Sequence, residues 1–238
     1  MPQKENIEKM FDAVAPTYDS LNHIMSLGVD KTWRRKAVRE IAAPGVEKVL
    51  DVACGTGDST IAIARALPAS GSVIGIDISD GMMALIAEKA AAKGVEGKIS
   101  LRKEDGEATS FPDGAFDCVT CSFGIRNFEH KEKGLEEFRR VLREGGKVVI
   151  LELSVPRNRF VRWIYDIYFL HILPWIGGAV SGVKSAYRYL PASVHNFPAP
   201  EKFLEMMSQA GFSDVRCRTF SLGLCRMFTG VKQAPSRG

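Results

Sequence analysis

The sequence predicts an α/β fold built on a mostly parallel, Rossmann-like sheet of seven strands. Between residues 46 and 156, short apolar runs alternate with segments in which apolar residues recur at helical spacing, the order that a parallel sheet with crossover helices requires. The first apolar run leads into a turn that contains Gly55 and Gly57. At 238 residues with 45% hydrophobic side chains, the chain suits one domain of this class.

The individual elements follow from the apolar spacing along the chain. Five apolar runs are predicted as parallel strands, at residues 46–52, 72–77, 99–104, 116–122 and 147–154. Two later runs are predicted as a terminal strand pair, at residues 215–221 and 226–231. Helical spacing, flanked by capping residues and glycines, predicts helices at residues 59–67, 80–93, 129–143 and 199–210.

The turn after the first strand has the features of a nucleotide site. Gly55 and Gly57 allow a sharp turn and a close approach of the backbone to a ligand. A dinucleotide site needs a third glycine where Thr60 stands, so a dehydrogenase is disfavoured. Asp51 suits an ammonium group, and Asp77, which ends the second strand, suits two ribose hydroxyls. These features predict S-adenosylmethionine as the ligand.

Two segments lie outside the alternating core. An N-terminal arm is predicted to form amphipathic helices that break at Pro16 and Gly28, and it can lie across the cofactor cleft. An aromatic segment separates the fifth strand from the last helix. The predicted division is an arm at 1–45, a cofactor-binding core at 46–156, an aromatic cap at 157–197 and a terminal helix with strand pair at 198–238.

The cap is rich in aromatic and basic residues. It holds nine aromatic side chains and five Lys or Arg residues, against the single acid Asp166. Such a cap suits a large apolar substrate presented at an anionic membrane surface. A second interpretation, that the aromatics cover a sheet face or form a subunit interface, stays open. Its most apolar stretch, residues 167–180, is too short for a membrane span.

Charge, cysteines and histidines exclude several classes of function. A net charge of +4 gives no argument for nucleic acid. The first residues carry acids and no apolar signal region, so a cytoplasmic protein is expected. Five cysteines do not form a disulfide framework. Cys118 and Cys121 are expected on opposite faces of one strand as buried thiols, and the four histidines lack metal-ligand spacing, so no metal is expected.

Three motifs resemble one enzyme family. They are Tyr18-Asp19-Ser20-Leu21-Asn22 with Ser26-Leu27-Gly28 and Trp33-Arg34; residues 122–127; and residues 140–156. Over nearly its whole length the chain resembles the ubiquinone and menaquinone biosynthesis C-methyltransferases. The resemblance implies a class I S-adenosylmethionine-dependent methyltransferase fold with a helical arm and cap. It also implies C-methylation of a polyprenylated quinol, with S-adenosylhomocysteine as the second product.

The expected cofactor contacts come from two sources. The resemblance implies that Thr56, Asp77, Asp105, Gly106 and Ser122 contact the cofactor. Reasoning from the residues adds Asp51 for the ammonium and Gly55 for close approach, since strand ends meet at one edge of a parallel sheet. The full predicted set is Asp51, Ala53, Gly55, Thr56, Gly57, Asp77, Ile78, Asp105, Gly106 and Ser122.

The catalytic hypothesis concerns the residues that follow the fourth strand. We expect Arg126 to stabilise the developing phenolate and Asn127 to orient the hydroxyl, while water or a nearby side chain takes the proton. Alternatively, Arg126 pairs with an acid such as Glu129 on the next helix. The candidate substrate contacts, each of which could equally be core packing, are Tyr18, Phe123, Tyr187 and Tyr189.

Alternatives remain open for the acceptor and the activity. The acceptor could be another lipophilic small molecule, and a non-catalytic cofactor-binding scaffold of a quinone-synthesis complex is a different class of function. Sequence does not separate a naphthoquinol from a benzoquinol or fix the prenyl length. The expected partners are the polyprenyl quinol, with room for peripheral contact with the inner face of a membrane and for a homodimer. No nucleic acid is expected.

Overall fold

A seven-stranded sheet forms the centre of the protein. A computed structural model describes residues 4–26, 28–169 and 184–233, with the backbone alone for 20–25 and 184–188. The strands are β1 Lys48–Val52, β2 Ser72–Asp77, β3 Ile99–Lys103, β4 Phe116–Ser122, β5 Leu142–Leu153, β6 Phe212–Phe220 and β7 Cys225–Lys232. Their order is β3-β2-β1-β4-β5-β7-β6, and only β7 runs antiparallel to its neighbours. The predicted fold class is confirmed.

Helices cover both faces of the sheet. They are α1 Lys4–Met25, α2 Asp30–Ile41, α3 Asp58–Ala66, α4 Asp80–Met83, α5 Ile86–Ala91, α6 Lys131–Val141, α7 Arg159–Ile167, α8 Lys184–His195 and α9 Pro200–Gln209. Apolar side chains of α2, α3 and α5 pack on one face, and those of α6 and α9 pack on the other. The sheet therefore separates two apolar cores, as in doubly wound folds.

Alternate side chains of each strand enter the two cores. Val49 belongs to the core beneath α2 and α3, whereas Leu50 belongs to the core beneath α6. Cys118 and Cys121 divide in the same way, and both are fully buried. Burial raises the pKa of the Cys118 thiol to about 12. The prediction of two inert thiols on opposite faces is confirmed.

The predicted helix break at Pro16 is wrong. Helix α1 continues through Pro16 to Met25 and stops before Gly28, whose φ is +73°. A proline removes one backbone hydrogen bond. Contacts on both sides of it hold this helix, because Asp12 accepts a 2.5 Å hydrogen bond from Ser79 and Asp19 accepts one from Lys89 at 2.7 Å. Tertiary contacts thus outweigh the local cost of the proline.

Two predicted helix bounds need correction. The segment 80–93 forms α4 and α5 instead of one helix, although Ala84 and Leu85 between them keep helical dihedral angles. The two helices are separated by a change in hydrogen-bond pattern. Leu85 N donates to Met82 O, three residues earlier, instead of to the carbonyl four residues earlier. The segment 129–143 ends at Val141, because Leu142 is extended and pairs with Phe116 as the start of β5.

Candidate active site

The first of two adjoining cavities lies where the strand order reverses. β1 pairs with β2 on one side and β4 on the other, and ligands of open α/β sheets bind beyond the carboxyl ends of strands at such a point. The cavity has a volume of about 90 Å³. Its wall includes nine of the ten predicted cofactor residues: Asp51, Ala53, Gly55, Thr56, Asp77, Ile78, Asp105, Gly106 and Ser122.

The tenth predicted residue, Gly57, does not line this cavity. It has φ +82° and precedes α3. A Cβ at this position would lie 2.7 Å from Ile86 Cγ1, closer than side chains tolerate. Gly57 therefore allows the turn and the packing of α3 against α5, and a direct cofactor contact stays a prediction.

Asp51 presents a buried carboxylate oxygen without a partner. The residue is 1% exposed, and its Oδ2 accepts a 2.6 Å hydrogen bond from Thr60. Its Oδ1 has no hydrogen-bond partner within the described part of the chain. Burial raises the pKa of Asp51 to about 7, while Thr60 and Arg34 act in the opposite direction. A ligand that brings an ammonium group would satisfy this oxygen and favour the ionised form.

Asp77 organises the glycine-rich turn. Its Oδ2 accepts a 2.8 Å hydrogen bond from Gly55 N, and its Oδ1 accepts one of 2.9 Å from Ser79 N. Burial raises its pKa, and the backbone hydrogen bonds oppose that shift. An ionised carboxylate has about four lone-pair sites. Asp77 therefore retains acceptor capacity for ribose hydroxyls while it fixes the turn.

Asp105 and Gly106, which follow β3, form another part of the cavity wall. Asp105 accepts hydrogen bonds from Lys4 Nζ at 2.5 Å and from Glu107 N at 2.9 Å. A Cβ on Gly106 would lie 2.5 Å from Val52 Cγ1 and 2.7 Å from the ring of Phe128. A glycine is thus required for the loop to pack against Val52 and Phe128.

Helix α1 covers this cavity, the position suggested for the N-terminal arm. Ile7, Phe11 and Tyr18 line it from above. Asp19 bonds to Thr56 in the glycine-rich turn, and Lys89 donates to Asp19, Asp58 and Thr56 O at 2.6–2.8 Å. These bonds fasten the arm to the cofactor loop.

A second cavity, of about 430 Å³, adjoins the first. Tyr18, Arg34 and Phe123 line both. Phe123 has φ +62°, an uncommon conformation for a bulky residue, directly after β4. The other lining residues are mostly apolar and include Val29, Trp33, Leu153, Val161, Ile164, Tyr165, Tyr168, Phe169, Leu190 and Leu224. The cavity suits a large apolar ligand held beside the first.

Arg126 is the buried cation of the second cavity. Its Nη1 donates to Glu152 Oε1 at 2.9 Å, and its Nε donates to Ser193 Oγ at 3.3 Å. Glu152 Oε2 also accepts from the Arg126 backbone N at 3.1 Å. The acid that pairs with Arg126 is therefore Glu152 on β5, and the expectation of a partner such as Glu129 is wrong in its choice of residue. Arg126 and Glu152 meet because β4 and β5 are parallel neighbours, so that their carboxyl ends lie together.

Asn127 lines the first cavity, while Arg126 lines the second. Asn127 Oδ1 accepts a 3.0 Å hydrogen bond from Tyr189. Tyr189 lines neither cavity, so its described contribution to the site is this hydrogen bond to Asn127. Tyr18 and Phe123 do line both cavities. The side chain of Tyr187 lies outside the described residues.

Three contributors were missed from the sequence. Glu152 and Arg34 lie in the quoted motifs, but their spatial neighbours come from distant elements. Tyr165 lines the second cavity, and burial raises its pKa, with Asp166 adding to the shift. In the sequence, Tyr165 is marked only as one of the nine aromatic residues of the cap.

The cap contributes both to the core beside the sheet and to the wall of the second cavity, while its roles in substrate and membrane binding stay predictions. Phe197 packs with Phe203 and Phe228 against the sheet. Helix α7 lines the second cavity, while its Phe160 and Trp163 stack on each other and are 68% and 61% exposed. Residues 170–183 of the cap lie outside the described residues. No helix in the described ranges is long and apolar enough to cross a membrane, and those ranges hold no cluster of metal-ligating side chains.

Sheet order and the switch-point cavity define the class of protein as a Rossmann-like α/β domain with a ligand site at the carboxyl ends of its strands. A solved structure of the [4+2]-cyclase SpnF shares this fold with a TM-score of 0.72 at 17% identity, and the match covers 98% of both chains. At that identity the likeness concerns the fold alone, because one fold hosts many reactions.

Sequence comparison defines the family. The model of the ubiE/COQ5 methyltransferase family matches residues 1–232. The ubiquinone/menaquinone biosynthesis C-methyltransferase UbiE of Geobacter sulfurreducens is 46% identical over 96% of this chain and 89% of its own length. A demethylmenaquinone methyltransferase of Bacteroides fragilis is 43% identical over 97% and 94%. The chain therefore belongs to the ubiE/COQ5 methyltransferase family, and the predicted resemblance is confirmed.

Proposed function

We propose that the protein transfers a methyl group from S-adenosylmethionine to a ring carbon of a polyprenylated quinol. The first choice of acceptor is demethylmenaquinol, and the corresponding benzoquinol is the second, since the names of its relatives include both pathways. The single observation that carries the proposal is the pair of cavities that share Tyr18, Arg34 and Phe123. One is polar and holds an unpartnered carboxylate oxygen, and the other is large and apolar.

The residues around the first cavity match the functional groups of the cofactor one by one. Asp51 Oδ1 would accept from the ammonium group, Asp77 from the ribose hydroxyls and Asp105 from the adenine amino group. Gly55, Thr56 and the flanking Ala53, Ile78, Gly106 and Ser122 would supply the close walls. When bound, S-adenosylmethionine supplies an activated methyl group, and S-adenosylhomocysteine is left. The protein then has to align the acceptor carbon with that methyl.

Arg126 and Asn127 would act on the acceptor hydroxyl. A quinol carbon becomes a good nucleophile when the neighbouring hydroxyl loses its proton to water or a nearby side chain, and after the transfer this carbon would lose its own proton to water as the ring regains aromaticity. The contacts with Glu152, Ser193 and Phe123 O hold the guanidinium in one orientation, so it stabilises the phenolate without reorganising. Tyr189 orients Asn127 in turn. Arginine stays charged and therefore acts as an electrostatic group, not as the base.

The acceptor would reach the second cavity from a membrane surface. Ile164 is 49% exposed and also lines the cavity, so the cavity opens beside the exposed aromatics Phe160 and Trp163. Arg157, Arg159 and Arg162 flank them. Exposed aromatics beside arginines favour an anionic interface. We therefore propose a cytoplasmic protein with peripheral contact at the inner face of the membrane. A homodimer stays a prediction.

Quinone analysis of cells tests the proposed function. Removal of the gene should cause a quinone that lacks one ring methyl to accumulate, and the wild-type gene should restore the methylated product. Asp51→Asn and Arg126→Lys should fail to restore it at equal protein levels. Restoration by both variants would favour a non-catalytic scaffold, and an unchanged quinone pool would point to another lipophilic acceptor.

A further inference from the structure

We infer that Arg34 binds the carboxylate of the cofactor's amino-acid end and so completes a two-point site for a zwitterion. This inference rests on the proposed function, because it takes S-adenosylmethionine as the ligand of the first cavity. It concerns a residue of the Trp33-Arg34 motif, for which the sequence offered no role.

Arg34 and Asp51 are held side by side by consecutive residues of α3. Arg34 Nη1 donates to Ser59 Oγ at 2.7 Å, and Thr60 Oγ1 donates to Asp51 Oδ2 at 2.6 Å. The positive charge of Arg34 also opposes the rise in the pKa of Asp51. The α-ammonium and carboxylate of an amino acid are attached to one carbon. A protein that binds both groups must therefore present an anion and a cation at neighbouring points, as α3 does here.

Arg34 has hydrogen-bonding capacity left for an anion. Its Nε is buried without a hydrogen bond to any described residue, and it forms an ion pair with Asp30, whose Oδ2 lies 3.6 Å away. The guanidinium lies 4.8 Å over the ring of Phe123, which fixes its plane. Such a planar fork matches a carboxylate.

The charges around the first cavity leave no other described candidate for this task. Lys4 is the second cation in its wall, but it bonds to Asp105 at 2.5 Å and lies 3.3 Å from Glu107, at the end away from Asp51. The remaining charged residues of the wall are acids: Asp51, Asp58, Asp77, Glu104, Asp105 and Glu107. Lys89, just outside the wall, is already bonded to Asp19, Asp58 and Thr56 O, whereas the charge of Arg34 acts on Asp51.

A comparison of two ligands separates this role from a structural one. Isothermal titration would measure S-adenosylmethionine and its decarboxylated analogue, which keeps the sulfonium and an amino group but lacks the carboxylate. Arg34→Gln should weaken binding of S-adenosylmethionine by about 10- to 100-fold, as expected for a hydrogen bond to a charged group. At a pH well above 7, where Asp51 stays ionised without the charge of Arg34, binding of the decarboxylated analogue should change by less than about threefold, within the effect of a neutral contact. Arg34→Lys should give an intermediate loss for S-adenosylmethionine alone.

A control variant on the same helix separates a role of Arg34 in carboxylate binding from a general effect on the site. Arg35→Gln, on an exposed position of the same helix, should alter neither affinity. Equal losses for both ligands in Arg34→Gln and Arg34→Lys would overturn the inference, since they indicate a general disturbance of the site. An unchanged affinity with a raised KM for the quinol would also overturn it and assign Arg34 to the acceptor. Wild-type protein that binds neither ligand would instead overturn the proposed function itself.

Discussion

At the residue scale, the chemistry of the site depends on a few buried charges. Asp51 is a carboxyl with one satisfied oxygen and one free oxygen in the described structure. Arg126 is a guanidinium paired with the fully buried Glu152. Buried charges are costly unless they are paired. Arg126 has its partner within the protein, whereas Asp51 gains a full set of partners only with a cationic ligand.

Cofactor affinity should fall as the pH falls through about 7. The pKa of Asp51 is raised to about 7 in the free protein, so the carboxyl is ionised above that pH and protonated below it. Only the ionised form attracts an ammonium group, and the bound cation in turn lowers the pKa. Titration calorimetry between pH 5.5 and 7.5 measures the slope. Asp51→Asn should bind weakly at every pH, and a wild-type affinity that is flat over this range would contradict the assigned role.

Arg126→Lys should reduce turnover much more than cofactor affinity. Lysine keeps the charge opposite Glu152 but lacks the planar fork that bonds to Ser193 and Glu152 together. We expect kcat to fall by about 10²- to 10³-fold, the usual effect of losing one oriented oxyanion donor. Equal losses in kcat and in cofactor binding would show that Arg126 supports the whole site instead. Glu152→Gln, which loosens the guanidinium without touching either cavity, should lower kcat in the same direction.

The cofactor side of the site was more predictable than the acceptor side. Asp51, Asp77 and Ser122 follow or end parallel strands, so the rule that strand ends meet at one edge brings them together without any knowledge of distances. Arg126 was identified, but its partner Glu152 was not. That pairing depends on the register of β4 with β5. Arg34 and Tyr165 depend on how the arm and the cap pack, and local patterns do not encode that packing.

At the element scale, helix bounds were predictable where local signals and tertiary contacts agree. β2 and β4 begin and end where their apolar runs do. Pro16 signals a helix end, but contacts from Asp12 and Asp19 hold α1 on both sides of it. β5 is longer than its apolar run, because Leu142 already pairs with Phe116 before a shift in register leads to the regular pairing with β4 from Lys147 onward. Sheet pairing and docking thus decided the bounds that sequence patterns left wrong.

The exposed rings of helix α7 should matter only for a membrane-embedded acceptor. A Phe160→Ser, Trp163→Ser double variant removes two exposed, stacked rings that do not line the cavity. We expect weaker binding to anionic vesicles and a higher KM for a long-chain quinol in those vesicles. The matched control is a short-chain, water-soluble quinol, for which the variant should equal the wild type. Losses with both acceptors would indicate that α7 shapes the cavity and does not bind the membrane.

At the scale of the whole molecule, two cavities lie beside each other and share part of their walls. The sheet places the first cavity at its switch point, the arm covers that cavity, and the cap bounds the second. The same fold occurs in a cyclase, so the fold does not determine the reaction. In our proposal, the reaction follows from the shared wall of Tyr18, Arg34 and Phe123, which would bring a polar and an apolar ligand into contact.

Methyl transfer by the purified chain tests this account most directly. S-adenosylmethionine labelled in its methyl group would be incubated with demethylmenaquinol in anionic vesicles, and the product analysed by mass spectrometry. We expect the label on a ring carbon of the quinol, in a one-to-one ratio with S-adenosylhomocysteine, and its loss in Arg126→Lys. Tight cofactor binding without label in either the naphthoquinol or the benzoquinol would contradict the account.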